Sequence, residues 1–85
     1  MIYVMKKDGT REEFDPQKIV KAVNKSAARI LYKFSDEEKE FICQFAQEHA
    51  DSLGKNEIEI QEMHNIVEGA LERVNPAVAK SYRDY

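Results

Sequence analysis

The feature that most constrains this chain is the change of hydrophobic period at Asp15-Pro16. Before it the sequence reads as a β-hairpin. Ile2-Tyr3-Val4-Met5 has strand propensity, Asp8-Gly9 is a dipeptide favoured where both turn residues take positive φ, and Phe14 closes a very polar second arm. A two-residue Asp8-Gly9 loop pairs Lys6 with Arg11 and sets Glu12 on the opposite face from Lys6, because side chains alternate along a strand. A two-stranded hairpin is marginal in water, so this one must lie on something. After the switch, Asp15 is placed to cap a helix and Pro16 to occupy its first position, where a missing N–H costs nothing. Ile19, Ala22/Val23, Ala27 and Ile30/Leu31 then recur as one apolar stripe.

The remaining punctuation is equally local. Ser35-Asp36-Glu37-Glu38 is a capping box opening a second helix, with a stripe of Phe41/Ile42, Phe45/Ala46, His49 and Leu53 and a stop at Gly54. Glu57-Ile58-Glu59-Ile60 alternates polar and apolar and predicts a third short strand. A third helix carries Met63, Ile66/Val67, Ala70/Leu71 and Val74 and ends at Asn75-Pro76. Pro76 opens a fourth with Val78, Ala79, Tyr82 and Tyr85. The expected fold is α+β: a small bundle of about four helices capped by an N-terminal hairpin and a short third strand, one domain over residues 1–85. The last helix reaches Arg83-Asp84-Tyr85 with no Gly, Asn or Pro to stop it, which reads as a piece cut from a longer protein.

Composition excludes several classes. A chain of 85 residues buries only about 60% of its unfolded surface, which leaves little room for a deep catalytic cavity. No apolar run approaches the roughly 18 residues of a membrane span, and the N-terminus lacks the pattern of a secretory signal. With one cysteine, Cys43, neither an internal disulfide nor a multi-cysteine metal site is available, so an intracellular, cytoplasmic protein is expected. Cys43 falls on the apolar side of its helix and reads as a buried structural thiol. His49 and His64 lack the spacing of zinc ligands, and neither glycine-rich phosphate loop is present.

Charge is unevenly placed: residues 1–33 carry eight basic and four acidic side chains, residues 34–85 five and twelve. A basic third inside an acidic protein points to a local anion site rather than to nucleic acid, which needs a broader basic surface. The segment from Val4 to Ile19 packs three lysines, an arginine, a turn and a helix start together. A helix start attracts anions, and Lys18 in the first turn is unfavourable for the helix unless an anion joins it. Two readings stay open on this basis: a phosphate site, or an ordinary charged hairpin in which Lys6 and Lys7 guard an edge and Glu12 pairs with a basic neighbour.

The residues Val4, Lys6, Lys7, Asp8, Gly9, Glu12 (or Glu13), Phe14, Asp15, Lys18, Ile19, Ala22 and Val23 resemble the opening signature of the ATP-cone family, V-x-K-R-D-G-x-x-E-x-F-D-x-x-K-I-x-x-A-I. Ile58-Glu59-Ile60-Gln61-Glu62-Met63-His64-Asn65-Ile66-Val67-Glu68 and Val78-Ala79-Lys80-Ser81-Tyr82 resemble two later blocks of that family, in order and at domain-like spacing. The resemblance implies helices topped by a three-stranded lid over an adenine nucleotide, ATP or dATP, with Mg²⁺ as a companion of the triphosphate. It implies Lys6 and Lys7 on the triphosphate, Lys7 standing where arginine is usual; that keeps the charge and loses the forked contact. It places Glu12 in nucleotide recognition, Asp15 to Lys18 along base and phosphates, Val4, Ile19 and Ala22 around the base, and Ile60 and His64 at the strand–helix junction.

By the same resemblance, the expected role is allosteric: an ATP/dATP-binding regulatory domain of a ribonucleoside-triphosphate reductase, without catalytic residues of its own. Its partners would be the nucleotide, the rest of the reductase chain and further copies in a homo-oligomer. Two alternatives are weighed. One is a protein-interaction module with a degenerate nucleotide site. The other is the cone of a nucleotide-sensing transcriptional repressor, disfavoured because that family sets a four-cysteine zinc ribbon before the cone.

Overall fold

The computed structural model describes residues 2–84. Strands β1 (Tyr3–Met5) and β2 (Arg11–Glu13) form the hairpin and are followed by helices α1 (Pro16–Ala28) and α2 (Asp36–Ser52). Strand β3 (Glu57–Glu59) leads directly into α3 (Ile60–Val74), and α4 (Pro76–Arg83) completes the chain. This is the expected α+β arrangement. Ile60 departs from its expected strand position by opening α3.

The sheet has the order β2-β1-β3, with β1 antiparallel to β2 and parallel to β3. Val4 stands opposite both Glu12 and Ile58. The hairpin loop differs from the Asp8-Gly9 expectation. Met5 pairs with Arg11, the Lys6 amide donates to the Thr10 carbonyl (2.8 Å), and the Gly9 amide donates to the Lys6 carbonyl (3.0 Å). The connection is therefore Lys7-Asp8-Gly9. Asp8 avoids positive φ; its carboxylate instead accepts the Thr10 amide (3.0 Å) and hydroxyl (2.6 Å), while Gly9 alone takes the left-handed conformation at φ 88°. Those Thr10 hydrogen bonds also hold the Asp8 carboxyl below its ordinary pKa. The extra loop residue shifts the register by one and returns Glu12 to the face carrying Val4 and Lys6.

The helices close a ring in which α1 and α3 each pack on α2 and α4. Val23, Ile42, Val67, Leu71 and Val78 are fully buried, and Val4 and Ile58 plug the sheet's inner face into this core. The caps of α1 and α2 are made by the residues expected, and α4 is capped by Asn75, which the sequence marked only as the end of α3. Asp15 accepts the Gln17 amide (2.9 Å), Ser35 and Glu38 form the reciprocal box, and Asn75 accepts the Ala77 amide ahead of α4 (2.9 Å). Glu38 also accepts the Tyr32 hydroxyl (2.6 Å), and these contacts lower its pKa, with the Ser35 backbone the largest cause. Gly54 stops α2 at φ 64°. Between α1 and α4 the buried Ser81 hydroxyl donates to the Ser26 carbonyl (2.8 Å).

Three apolar placements differ from the sequence reading. Ile30 and Leu31 leave the α1 stripe and are exposed, Leu31 almost completely (96%). The Tyr32 amide reaches back to the Ala27 carbonyl (2.9 Å) and the Leu31 amide to Ala28 (3.0 Å), a Schellman ending that puts Leu31 at φ 58° and turns it outward. On α2 the buried row is Ile42, Ala46 and Ala50, and His49 lies exposed, stacked on Phe45 at 4.1 Å. Cys43 is half-buried; its thiol points to the Pro16 carbonyl (3.9 Å), and burial raises its pKa. Tyr85 lies outside the described residues.

Candidate functional site

The corrected register builds the centre of the site. Glu12 points inward from β2, where its carboxylate needs cationic partners because the inner face leads to the apolar core. Two arrive from different elements. Lys6, just beyond β1, places Nζ 2.8 Å from Glu12 Oε2, and Lys18, in the first turn of α1, engages Oε1. The anion beside Lys18 in this structure is thus Glu12. The amides at the start of α1 are served by Asp15, whose carboxylate is spent on the cap.

Beneath the sheet, beside this cluster, lies a mostly apolar cavity of about 150 Å³. Val4, Glu12, Asp15, Lys18, Ile19, Ala22, Ile60 and His64 line it, joined by Glu13, Phe14, Met63, Val67 and Tyr82. It opens into a more polar cleft of about 610 Å³ bordered by Lys7, Lys18, Lys21, Ala22, Lys25, Gln61, His64, Glu68, Tyr82 and Arg83. Lys6 and Lys7 also border a shallow groove along β3 with Lys55, Ile60 and Gln61. All ten residues singled out from the sequence therefore fall in one continuous region, with Lys6 joined to the cavity through Glu12.

Sequence reading missed Lys21, Lys25, Gln61, Tyr82 and Arg83. Lys18, Lys21 and Lys25 stand at helical spacing along one face of α1, a signal that was present in the sequence. Ala22 lines the same cleft beside them. Arg83 comes from the far end of the chain and is held by Glu68 (2.7 Å) and Glu72 (3.3 Å). Among the described residues no ion pair engages Lys7, Lys21 or Lys25.

His64 meets Tyr82 edge to face at 5.8 Å on the cleft wall. Partial burial, and then the Lys7 ammonium, lower its pKa from the ordinary 6.5 and favour the neutral ring. Burial, with Glu68 behind it, pushes the Tyr82 hydroxyl up to about 12, so it remains a hydrogen-bond donor at neutral pH. Such a wall offers flat, uncharged surface beside a row of ammonium groups. No cluster of three or more metal-ligating side chains occurs among the described residues, and no described helix is long and apolar enough to cross a membrane.

A ring of four helices roofed by a three-stranded sheet over a lysine-lined cleft agrees with what the sequence signature implied, and the family comparison completes it. The ATP cone domain model matches residues 2–85, and the chain belongs to that family. It is 37% identical over 87 residues to an anaerobic ribonucleoside-triphosphate reductase of Haemophilus influenzae. That alignment takes in 96% of this chain but only 12% of the reductase, so the chain spans a small part of that relative's length.

Proposed function

We propose that this domain binds ATP or dATP as an allosteric effector and regulates a ribonucleoside-triphosphate reductase of which it is part. The observation that carries the reading is the junction of an apolar cavity with a cleft bearing the Lys18–Lys21–Lys25 row and Lys7. The adenine ring would enter the cavity between Val4, Ile19, Ala22 and Ile60, with Glu12 accepting from it. The triphosphate would lie in the cleft against Lys7, Lys18, Lys21 and Lys25, with Lys6 reaching it from the roof and His64 and Tyr82 along the wall. Ammonium groups bind phosphate as point charges, so Lys7 supplies attraction without the planar fork of an arginine. Mg²⁺ would come with the triphosphate, whose oxygens and waters supply its ligands.

Regulation would be a population shift. A nucleotide that binds one assembly state of the parent reductase better than another moves the balance by its differential affinity. Catalysis would reside in other parts of that parent. A second reading, an interaction module with a lapsed nucleotide site, draws on one observation: Glu12 already neutralises Lys6 and Lys18.

Thermal denaturation with ATP, dATP and GTP separates the two. Ligand at about 100 times its Kd adds about 2.7 kcal/mol, a rise on the order of 10 °C for a domain of this size. A double Lys6→Ala, Lys18→Ala variant should lose most of that rise while still unfolding cooperatively without ligand. A flat melting temperature with every adenine nucleotide would leave the interaction-module reading standing.

A further inference from the structure

We propose that Glu12 makes phosphate capture conditional on a base that can donate hydrogen bonds, which deepens the nucleotide reading above and rests on it. Glu12 sits at the seam between the apolar cavity and the basic cleft. Its two carboxylate oxygens are both occupied, one by Lys6 (2.8 Å) and the other by Lys18. A polyanion entering alone must compete with Glu12 for these two ammonium groups and approach an uncompensated carboxylate once it has won them. A ring seated in the cavity that presents an N–H donor to Glu12, as the exocyclic amine of adenine does, satisfies a carboxylate oxygen and loosens its hold on the lysines. The ammonium groups then turn to the phosphates, and the two halves of one ligand assist each other.

Exposure makes the exchange easy. The lysine side chains are 50% and 59% exposed, and pairs of this kind contribute little to the fold. They can be traded for a ligand without loosening the domain. The coupling is also reciprocal: whatever the base does for phosphate binding, phosphate does for the base.

Calorimetric titration of the intact domain with inorganic tripolyphosphate and with ATP tests this on the native protein and on Glu12→Gln. The glutamine keeps the shape and releases both lysines. Tripolyphosphate should bind E12Q roughly tenfold tighter, the scale of freeing two partly exposed pairs, while ATP gains nothing, so ATP's advantage over tripolyphosphate collapses. Equal tightening of both ligands would reduce Glu12 to a repulsive charge, and weaker tripolyphosphate binding would make it a support for the lysines. Either result overturns the coupling while leaving nucleotide binding intact. Absence of ATP binding to the native domain overturns both proposals. A second measurement needs no variant: adenosine near saturation should tighten tripolyphosphate binding to the native domain several-fold, and an unchanged or weakened affinity refutes the coupling.

Discussion

The helical ring and the sheet above it are held together by different forces. In the ring, Val23, Ile42, Val67, Leu71 and Val78 are removed from water, and each helix leans on two others. Each strand of the roof is only three residues long, and Val4 and Ile58 are its buried anchors. Ile2 and Phe14 pack partly buried beside them. The roof's ion pairs are largely exposed: Arg11 to Glu57 at 3.2 Å and Lys6 to Glu12 lie within the roof, and Lys18 to Glu12 ties it to α1. Arg11 also lies over the Tyr3 ring at 5.0 Å. Apolar burial is costly to undo, whereas exposed ion pairs exchange readily with solvent or another anion. Stability therefore concentrates in the ring, and the groups free to meet a ligand concentrate in the roof and along the adjoining face of α1.

The sharpest way to break this contrast is to damage each region once. Leu71→Ala opens a cavity in the ring and should cost about 3 kcal/mol, out of a total of roughly 4–13 kcal/mol for a domain this size. Arg11→Ala removes a roof pair and should cost under about 1 kcal/mol. Urea denaturation followed by far-UV circular dichroism reads both, with the midpoint falling and the slope unchanged. Comparable losses in the two variants would mean that the roof is as structural as the ring.

What sequence reading recovered follows the same division. The caps at Asp15 and at Ser35 with Glu38 were legible because each depends on a side chain and amides within three residues of it. The ring's core was largely legible from helical spacing. The hairpin register was not, because it turned on whether Asp8 took a positive φ or bonded to Thr10, a choice of modest energy that flips every side chain beyond it. Arg83 and Tyr82 were placed on the fourth helix but not in the site, for a different reason. Only the packing of α4 against α1 brings them to the lysine row, and nothing within either helix encodes that. The family signature supplied Lys6, Glu12 and Lys18 as a set, but not that they would bind one another.

A smaller effect tests how the ring ends. Leu31 occupies the left-handed position of the α1 Schellman motif, where glycine is usual and a side chain is strained. Its side chain is almost wholly exposed, so little packing is lost by removing it. Leu31→Gly should stabilise the domain by about 0.5–1 kcal/mol, the relief of strain exceeding the added freedom of the unfolded chain. A raised urea midpoint would confirm that the α1–α2 turn is set by backbone hydrogen bonds. A loss of stability would show that Leu31 contributes contacts beyond its exposure.

The smallest expected effect tests whether roof and ring act on each other electrically. His64 belongs to α3 in the ring, Lys7 to the hairpin loop of the roof, and the cleft separates them. Its pKa is lowered first by partial burial and second by Lys7. Lys7→Gln removes the second cause alone, so the His64 ring-proton titration should move part of the way back toward 6.5 and stop short of it. The sign carries into stability. A depressed folded-state pKa means that the unfolded chain takes up the proton first, so the contribution of His64 is complete above pH 6.5 and is lost as pH falls through the folded value. K7Q should therefore narrow that loss slightly. Bound triphosphate should move the His64 midpoint in the same direction as K7Q and further, because it brings negative charge into the cleft instead of only removing a positive one. If K7Q leaves the midpoint where it was, the roof does not reach the cleft wall, and Lys7 would have to be withdrawn from the proposed triphosphate site.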